Sequence, residues 1–211
     1  IMKSGFDGIF IAISNPVDII AHYIYKLSGL PKNQVIGTGT AIDSARLQNM
    51  IAQTVNVDPR SVHAYSMGEH GDSQMVPWST VTIAGKPFYD VIADNKELVG
   101  DVDLDELVYR TTQEGWEIFN RKGTTYYGIA TACVGVIKAI LNDENRIIPV
   151  STLLEGEYGE RNVYAGVPTV LNRSGAYDVL EIHMTPGELA RFKESTRVIR
   201  EYTDRIMKLN L

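Results

Sequence analysis

The run GIFIAIS at 8–14 constrains this chain more than any other stretch. It is apolar without alternation and bounded by Gly8 and by Asn15-Pro16, as expected of a strand covered on both faces in a parallel sheet. Pro16 then opens the helical stretch PVDIIAHYIYKLSG, with proline at the first helical position and Gly29 just past the end. QVIGTG (34–39) reads as a second short strand, and residues from about 40 to 55 as a second helix. Strand–helix–strand–helix is a parallel α/β arrangement.

Downstream the pattern changes. SVHAYSM (61–67) and MVPWSTVTIAGKPF (75–88) alternate and carry an Ala-Gly turn, which predicts antiparallel strands. Two helices are expected at 103–121 and 124–142. The first is acidic and exposed; the second, YYGIATACVGVIKAIL, is apolar nearly all round and expected to be buried. IIPVSTLLEG, NVYAGVPTVL and AYDVLEIHM follow as strands, the last two joined by a hairpin at NRSG with Gly175 available for positive φ. Thr185-Pro186-Gly187-Glu188 is a capping box that opens a charged C-terminal helix. The fold class predicted is α/β, then α+β with antiparallel sheets. Residues 1–38 form the first unit and 39–211 the second.

Composition narrows the partners. With 44% hydrophobic and 22% charged residues the chain has the make-up of a globular domain, and a net charge of −6 without a Lys/Arg block disfavours nucleic acid and anionic membranes. No run approaches the roughly 18–20 apolar residues of a membrane span. One cysteine, Cys133, excludes an internal disulfide and suits a reducing cytoplasm; without HExxH spacing or a Cys/His cluster, no metal site is expected. IMKSGFDG reads as the end of a helix capped by Gly5, so the chain is expected to start inside a domain.

Chemistry concentrates in three short motifs. In AIDSAR, Asp43 and Arg46 lie three apart on one helix face, either as a plain ion pair or with separate tasks. In the second case Asp43 faces a histidine and Arg46 a carboxylate ligand, which a guanidinium fork matches with two parallel hydrogen bonds. His70, in GEHGDSQ, is the natural partner for Asp43. A carboxylate on Nδ1 fixes the tautomer and favours imidazolium, freeing the other nitrogen to pass a proton to a carbonyl oxygen. Gly68 and Gly71 are read as letting the backbone approach a ligand. In ISNPVD, Asn15 ends a strand at its carboxyl end, where ligands bind in open α/β sheets. GTGT (37–40) lacks both nucleotide-loop spacings and reads as a strand-to-helix turn.

ISNPVD, GTGTAIDSAR and GEHGDSQ, in that order, with RKGTTYYGIA and VYAGVPTVLNRSG after them, resemble the L-lactate dehydrogenase family of L-2-hydroxyacid dehydrogenases. The resemblance runs over the whole chain. It implies the end of a Rossmann sheet followed by a substrate domain, with NAD as cofactor, a small 2-oxo or 2-hydroxy acid as substrate, and a homo-oligomer, tetramer or dimer. It also implies a place in cytoplasmic carboxylic acid metabolism such as glycolysis. By position, His70 is the general acid/base and Asp43 its orienter. Arg46, Asn15 and Thr125 bind substrate, and Ile13, Asn15, Thr38 and Ile129 border the nicotinamide. Gln48, where bisphosphate-activated relatives carry arginine, implies no such activation, although His63 matches the other effector position.

The family's GxGxxG turn, its acidic ribose ligand and its carbonyl-polarising arginine have no match here. The expectation is therefore a piece of a longer enzyme, inactive alone, with a missing amino-terminal fragment as a candidate partner. Two alternatives stand beside it: a malate dehydrogenase of the same superfamily, and a non-catalytic assembly module.

Overall fold

A computed structural model describes residues 1–208. A 3₁₀ turn (Met2–Ser4) ends at Gly5, which takes up the left-handed conformation. Strand β1 (Phe10–Ala12) leads into helix α1 (Val17–Ser28), and β2 (Val35–Gly37) leads into α2 (Ala41–Val55). The two strands pair in parallel, Ile11 opposite Ile36. The expected unit is present with two differences. β1 is three residues long and sits half-buried at the sheet edge, rather than covered on both faces, and Ile13 beyond it is 52% exposed. Pro16 is the N-cap of α1 rather than its first helical residue, while Gly29 ends the helix as expected.

A small antiparallel sheet follows, made of β3 (Val62–His63), β4 (Thr82–Ile83) and β5 (Lys86–Pro87). These strands are much shorter than the alternation predicted. Most of 64–81 is instead a loop with a 3₁₀ turn at Trp78–Thr80, because its apolar residues pack into two different cores rather than onto one sheet face. The Ala84-Gly85 turn forms, both residues at positive φ, as a tight hairpin requires.

Helices α3 (Phe88–Asp94), α4 (Lys96–Val99), α5 (Leu104–Lys122) and α6 (Tyr126–Leu141) come next. Asp103 caps α5 by accepting from the Asp105 and Glu106 amides. α6 corrects an expectation: only Val136, Ala139 and Ile140 are buried, while Val134, Ile137 and Leu141 face outward. One side of the helix packs on the sheet, and no described element covers the other.

The long hairpin β6 (Arg146–Glu155) and β7 (Arg161–Asn172), with β8 (Gly175–Val179), does not form a separate sheet. β6 pairs antiparallel with β2, giving one five-stranded mixed sheet in the order β1-β2-β6-β7-β8. β8 stops at Val179, short of the predicted AYDVLEIHM. Gly175 takes φ 98° in the hairpin, where a Cβ would lie 1.9 Å from the Asn33 carbonyl oxygen. α7 (Pro186–Met207) starts at the predicted capping box and lays Phe192 and Ile199 on Leu154, Val163 and Val167. α2 fills the other side with Leu47 and Ile51 against Trp78, Phe88 and Leu107. Among the described residues no helix is long and apolar enough to cross a membrane, and no cluster of three or more His, Cys, Asp or Glu side chains could hold a metal.

Candidate active site

The segment 67–75 is a closed loop. Its neck is a backbone pair between Met67 and Met75, and Gly68 exchanges two backbone hydrogen bonds with Gly166 of β7, at 2.9 and 2.7 Å. Gly68, at φ 92°, is required for a reason the sequence did not suggest: a Cβ there would lie 2.3 Å from Ser195 Oγ of α7, so the close approach is to that helix and not to a ligand. Ser195 Oγ accepts the Glu69 amide at 2.8 Å, and Glu69 in turn accepts the Ser73 hydroxyl at 2.5 Å. Gln74 donates to the Gly71 carbonyl and to Thr112 of α5. The loop that carries His70 is thereby held from β7, α7 and α5 together.

His70 Nδ1 lies 2.5 Å from Asp43 Oδ2, in the first turn of α2. Asp43 is 2% exposed, so this contact is shielded from water. Burial by itself pushes the His70 imidazole down. The hydrogen bond and charge of Asp43, joined by the charge of Asp18, outweigh that and hold it above its ordinary 6.5, with Arg46 opposing. The ring then presents Nε2 as its unbonded nitrogen.

Arg46, one turn along α2, places one guanidinium nitrogen 3.4 Å from Asp43 Oδ1. The ion pair read from the spacing is present, and Asp43 meets His70 through its other oxygen. Its side chain is 12% exposed, and its remaining N–H groups have no acceptor among the described residues. Gly115 of α5 lies against the guanidinium, where a Cβ would come within 3.2 Å of it.

A cavity of about 680 Å³ opens in front of these groups. Ile13, Asn15, Thr38, Asp43, Arg46, His70, Thr125 and Ile129 all border it, so every site residue read from the sequence reaches one space. Asn15 lies at the carboxyl end of β1. Thr38 follows β2, its amide bound to the Ala12 carbonyl at 2.9 Å. Thr125 is the N-cap of α6 but makes no side-chain cap bond, which leaves its hydroxyl free.

Sequence reasoning missed the α5 wall and one carboxylate. Trp116 and Phe119 of α5 line the cavity and are half-exposed; their i,i+3 spacing, in the half of the helix beyond the Leu104, Leu107 and Val108 core contacts, was the available signal. The carboxylate is Asp18, buried in the first turn of α1, with Oδ2 accepting the His70 amide at 2.9 Å. Nothing local marks it out from an ordinary helix-start aspartate.

A parallel strand pair ending on a cavity that holds a carboxylate–imidazole couple and an open guanidinium defines an α/β protein with a candidate acid–base site beside a free cationic group. Family models agree with that class. Residues 40–209 match the lactate/malate dehydrogenase alpha/beta C-terminal domain, and residues 1–37 match the lactate/malate dehydrogenase NAD binding domain. The chain belongs to the lactate/malate dehydrogenase family. It is 52% identical over 202 residues to L-lactate dehydrogenase 3 of Bacillus thuringiensis subsp. konkukian, covering 96% of this chain and 64% of that protein. It is 46% identical to L-lactate dehydrogenase 1 of Bifidobacterium longum, covering 98% and 66%. The crystal structure of the minor L-lactate dehydrogenase from Enterococcus mundtii, in its ligands-bound form, superposes with a TM-score of 0.92 at 42% identity, covering 97% of this chain and 65% of that one. The chain thus spans about two thirds of the length of these relatives.

Proposed function

We propose that this chain supplies the substrate-binding and proton-transfer part of an NAD-dependent L-2-hydroxyacid dehydrogenase of the L-lactate type. The observation that carries the reading is a pair of open donors on one cavity: a guanidinium with a single weak partner, and an imidazole held by Asp43 with its second nitrogen free. Arg46 grips the substrate carboxylate through two parallel N–H bonds. Asn15 donates its amide to the substrate oxygen, and Thr125 borders the acid group. In the reducing direction the carbonyl oxygen of the 2-oxo acid takes the proton from His70 Nε2 as C2 gains a hydride. The product is the 2-hydroxy acid, and oxidation returns the proton to Nε2. Asp43 keeps the ring in the tautomer and orientation this step needs.

The nicotinamide coenzyme, when bound, supplies or accepts the hydride. An apolar side chain 52% exposed at the carboxyl end of a parallel strand, Ile13, suits the face of a flat ring, with Ile129 and Thr38 beside it. In this reading residues 1–38 are the end of a dinucleotide-binding unit and 39–211 the substrate unit. The enzyme is a cytoplasmic homo-oligomer, the outward apolar face of α6 suiting a covered surface.

The test joins the preceding segment of the Bacillus thuringiensis relative to Ile1 and follows NADH oxidation with pyruvate, 2-oxoisocaproate and oxaloacetate. Turnover of pyruvate or 2-oxoisocaproate above oxaloacetate is expected, with far slower rates from the 211-residue chain alone. Preference for oxaloacetate would favour the malate relatives. No turnover of any 2-oxo acid, or equal rates from chain and chimera, would overturn the reading.

A further inference from the structure

Asp18 has no need to be an acid if its task is only to hold a backbone amide. A serine or asparagine oxygen accepts an N–H equally well and avoids burying a charge. Yet Asp18 lies 4% exposed in the first turn of α1, with Oδ2 on the His70 amide at 2.9 Å. Its other oxygen, Oδ1, is sealed from solvent without a hydrogen-bond partner. The Ser151 hydroxyl of β6, itself without a hydrogen-bond partner in standard geometry, stands close enough to favour the ionised form. What aspartate adds over those alternatives is negative charge, and that charge faces His70.

The ionisable groups around the imidazole form a short set. Asp43 holds Nδ1 from α2, Arg46 stands on the same helix, and Asp18 lies on the main-chain side from α1. Glu69 faces Asp18 from within the loop. α7 contributes Ser195, which is neutral. Two buried carboxylates thus act on His70, Asp43 at the ring and Asp18 at the main-chain amide, with one guanidinium opposing them.

We propose that Asp18 is a positioning residue of the proton-transfer site: its ionised carboxylate fixes the His70 main chain and supplies a second negative charge that stabilises the imidazolium. The proton carrier is then a three-membered unit, Asp43–His70–Asp18, rather than a pair. The inference rests on His70 being the proton carrier of the preceding section. Burial pushes the Asp18 carboxyl up to about 6, against the pull of the Ser151 hydroxyl and of the His70 amide and ring charge, with Glu69 adding to the rise. Asp18 and His70 act on each other through their charges, so each proton is felt by the other group. As pH rises through about 6, Asp18 ionises and strengthens the hold of His70 on its proton in the range where the donor form is needed.

The experiment is an NMR titration of the imidazole nitrogens in the labelled 211-residue chain, without substrate or coenzyme. Asp18→Asn keeps an oxygen for the His70 amide and removes the charge. It is expected to lower the His70 midpoint by about 0.5–1 pH unit, a 3- to 10-fold loss of proton affinity, while the His70 amide stays protected from hydrogen exchange. In the chimera, the same variant should move the kcat/KM profile to lower pH and leave KM below the midpoint unchanged. A folded Asp18→Asn chain with an unmoved midpoint would overturn the proposal. Should that variant not fold, the Asp18 carboxyl carbon is followed in the unaltered chain. Inflections shared between that carbon and the His70 ring support the proposal; a single step near 4 with no response at His70 overturns it. Absent turnover with the coupling intact would count against the dehydrogenase reading alone.

Discussion

Asp18 also makes a prediction about stability that runs against the usual expectation for a buried, hydrogen-bonded residue. Its carboxyl is raised from 3.8 to about 6 in the fold, chiefly by burial. A raised folded value means that the contribution to stability is fully present below the unfolded value and is lost as pH rises through the folded one. At about 1.36 kcal/mol per pH unit, the ionised carboxylate costs the fold about 3 kcal/mol above pH 6. Asp18→Asn removes that cost. Its oxygen can still accept the His70 amide, and its NH₂ group can use the Ser151 hydroxyl that is now unpaired. Urea unfolding of both proteins from pH 4 to pH 8 is the assay. The variant is expected to match the unaltered chain near pH 4 and to gain steadily up to about 3 kcal/mol at pH 7–8, an increase of roughly 6–12 °C in Tm. A difference that is flat with pH, or an asparagine variant less stable at pH 8 than at pH 4, would refute the electrostatic reasoning. A residue that stabilises the fold when replaced, while its loss weakens proton affinity at His70, is retained for the site rather than for the scaffold.

His22 gives the opposite sign in the same window. It is 3% exposed, both ring nitrogens lack partners, and burial holds it down at about 4 from 6.5. Its contribution is present above 6.5 and lost as pH falls toward 4, by about 3 kcal/mol. His22→Phe keeps the ring beside Tyr164, at 5.5 Å between centroids, and should be more stable than the unaltered chain by about 3 kcal/mol near pH 4 and equal to it above pH 6.5 in urea unfolding. Because Asp18 and His22 oppose each other between pH 4 and 6.5, the unaltered chain should show less pH dependence there than either variant. At the cavity, Arg46→Lys in the chimera replaces a fork by a point charge and is expected to lower kcat/KM roughly hundredfold, about 3 kcal/mol, mainly through KM. Unchanged saturation kinetics would remove Arg46 from substrate binding.

Features carried by a few consecutive residues were legible in the sequence. Gly29 ends α1 in the left-handed conformation, Thr185 and Glu188 cap α7 reciprocally, and Ala84-Gly85 and Gly175 turn their hairpins, because each is set by backbone angles and contacts within a few consecutive residues. The spacing of Asp43 and Arg46 likewise fixed their common helix face, and the ordered motifs brought Asn15, Thr38, His70, Thr125 and Ile129 to one cavity. The tertiary structure alone decided what those residues rest on. β6 joins β2 into a single sheet; α6 turns an apolar face outward; Gly68 makes room for Ser195, 127 residues away in sequence. Asp18 meets the His70 amide across a separation of 52 residues. Burial and charge at a point in space are sums over chain segments with no sequence relation to one another. An aspartate that reads as a routine helix start can therefore become the second carboxylate of a proton-transfer site only once the chain has folded around it.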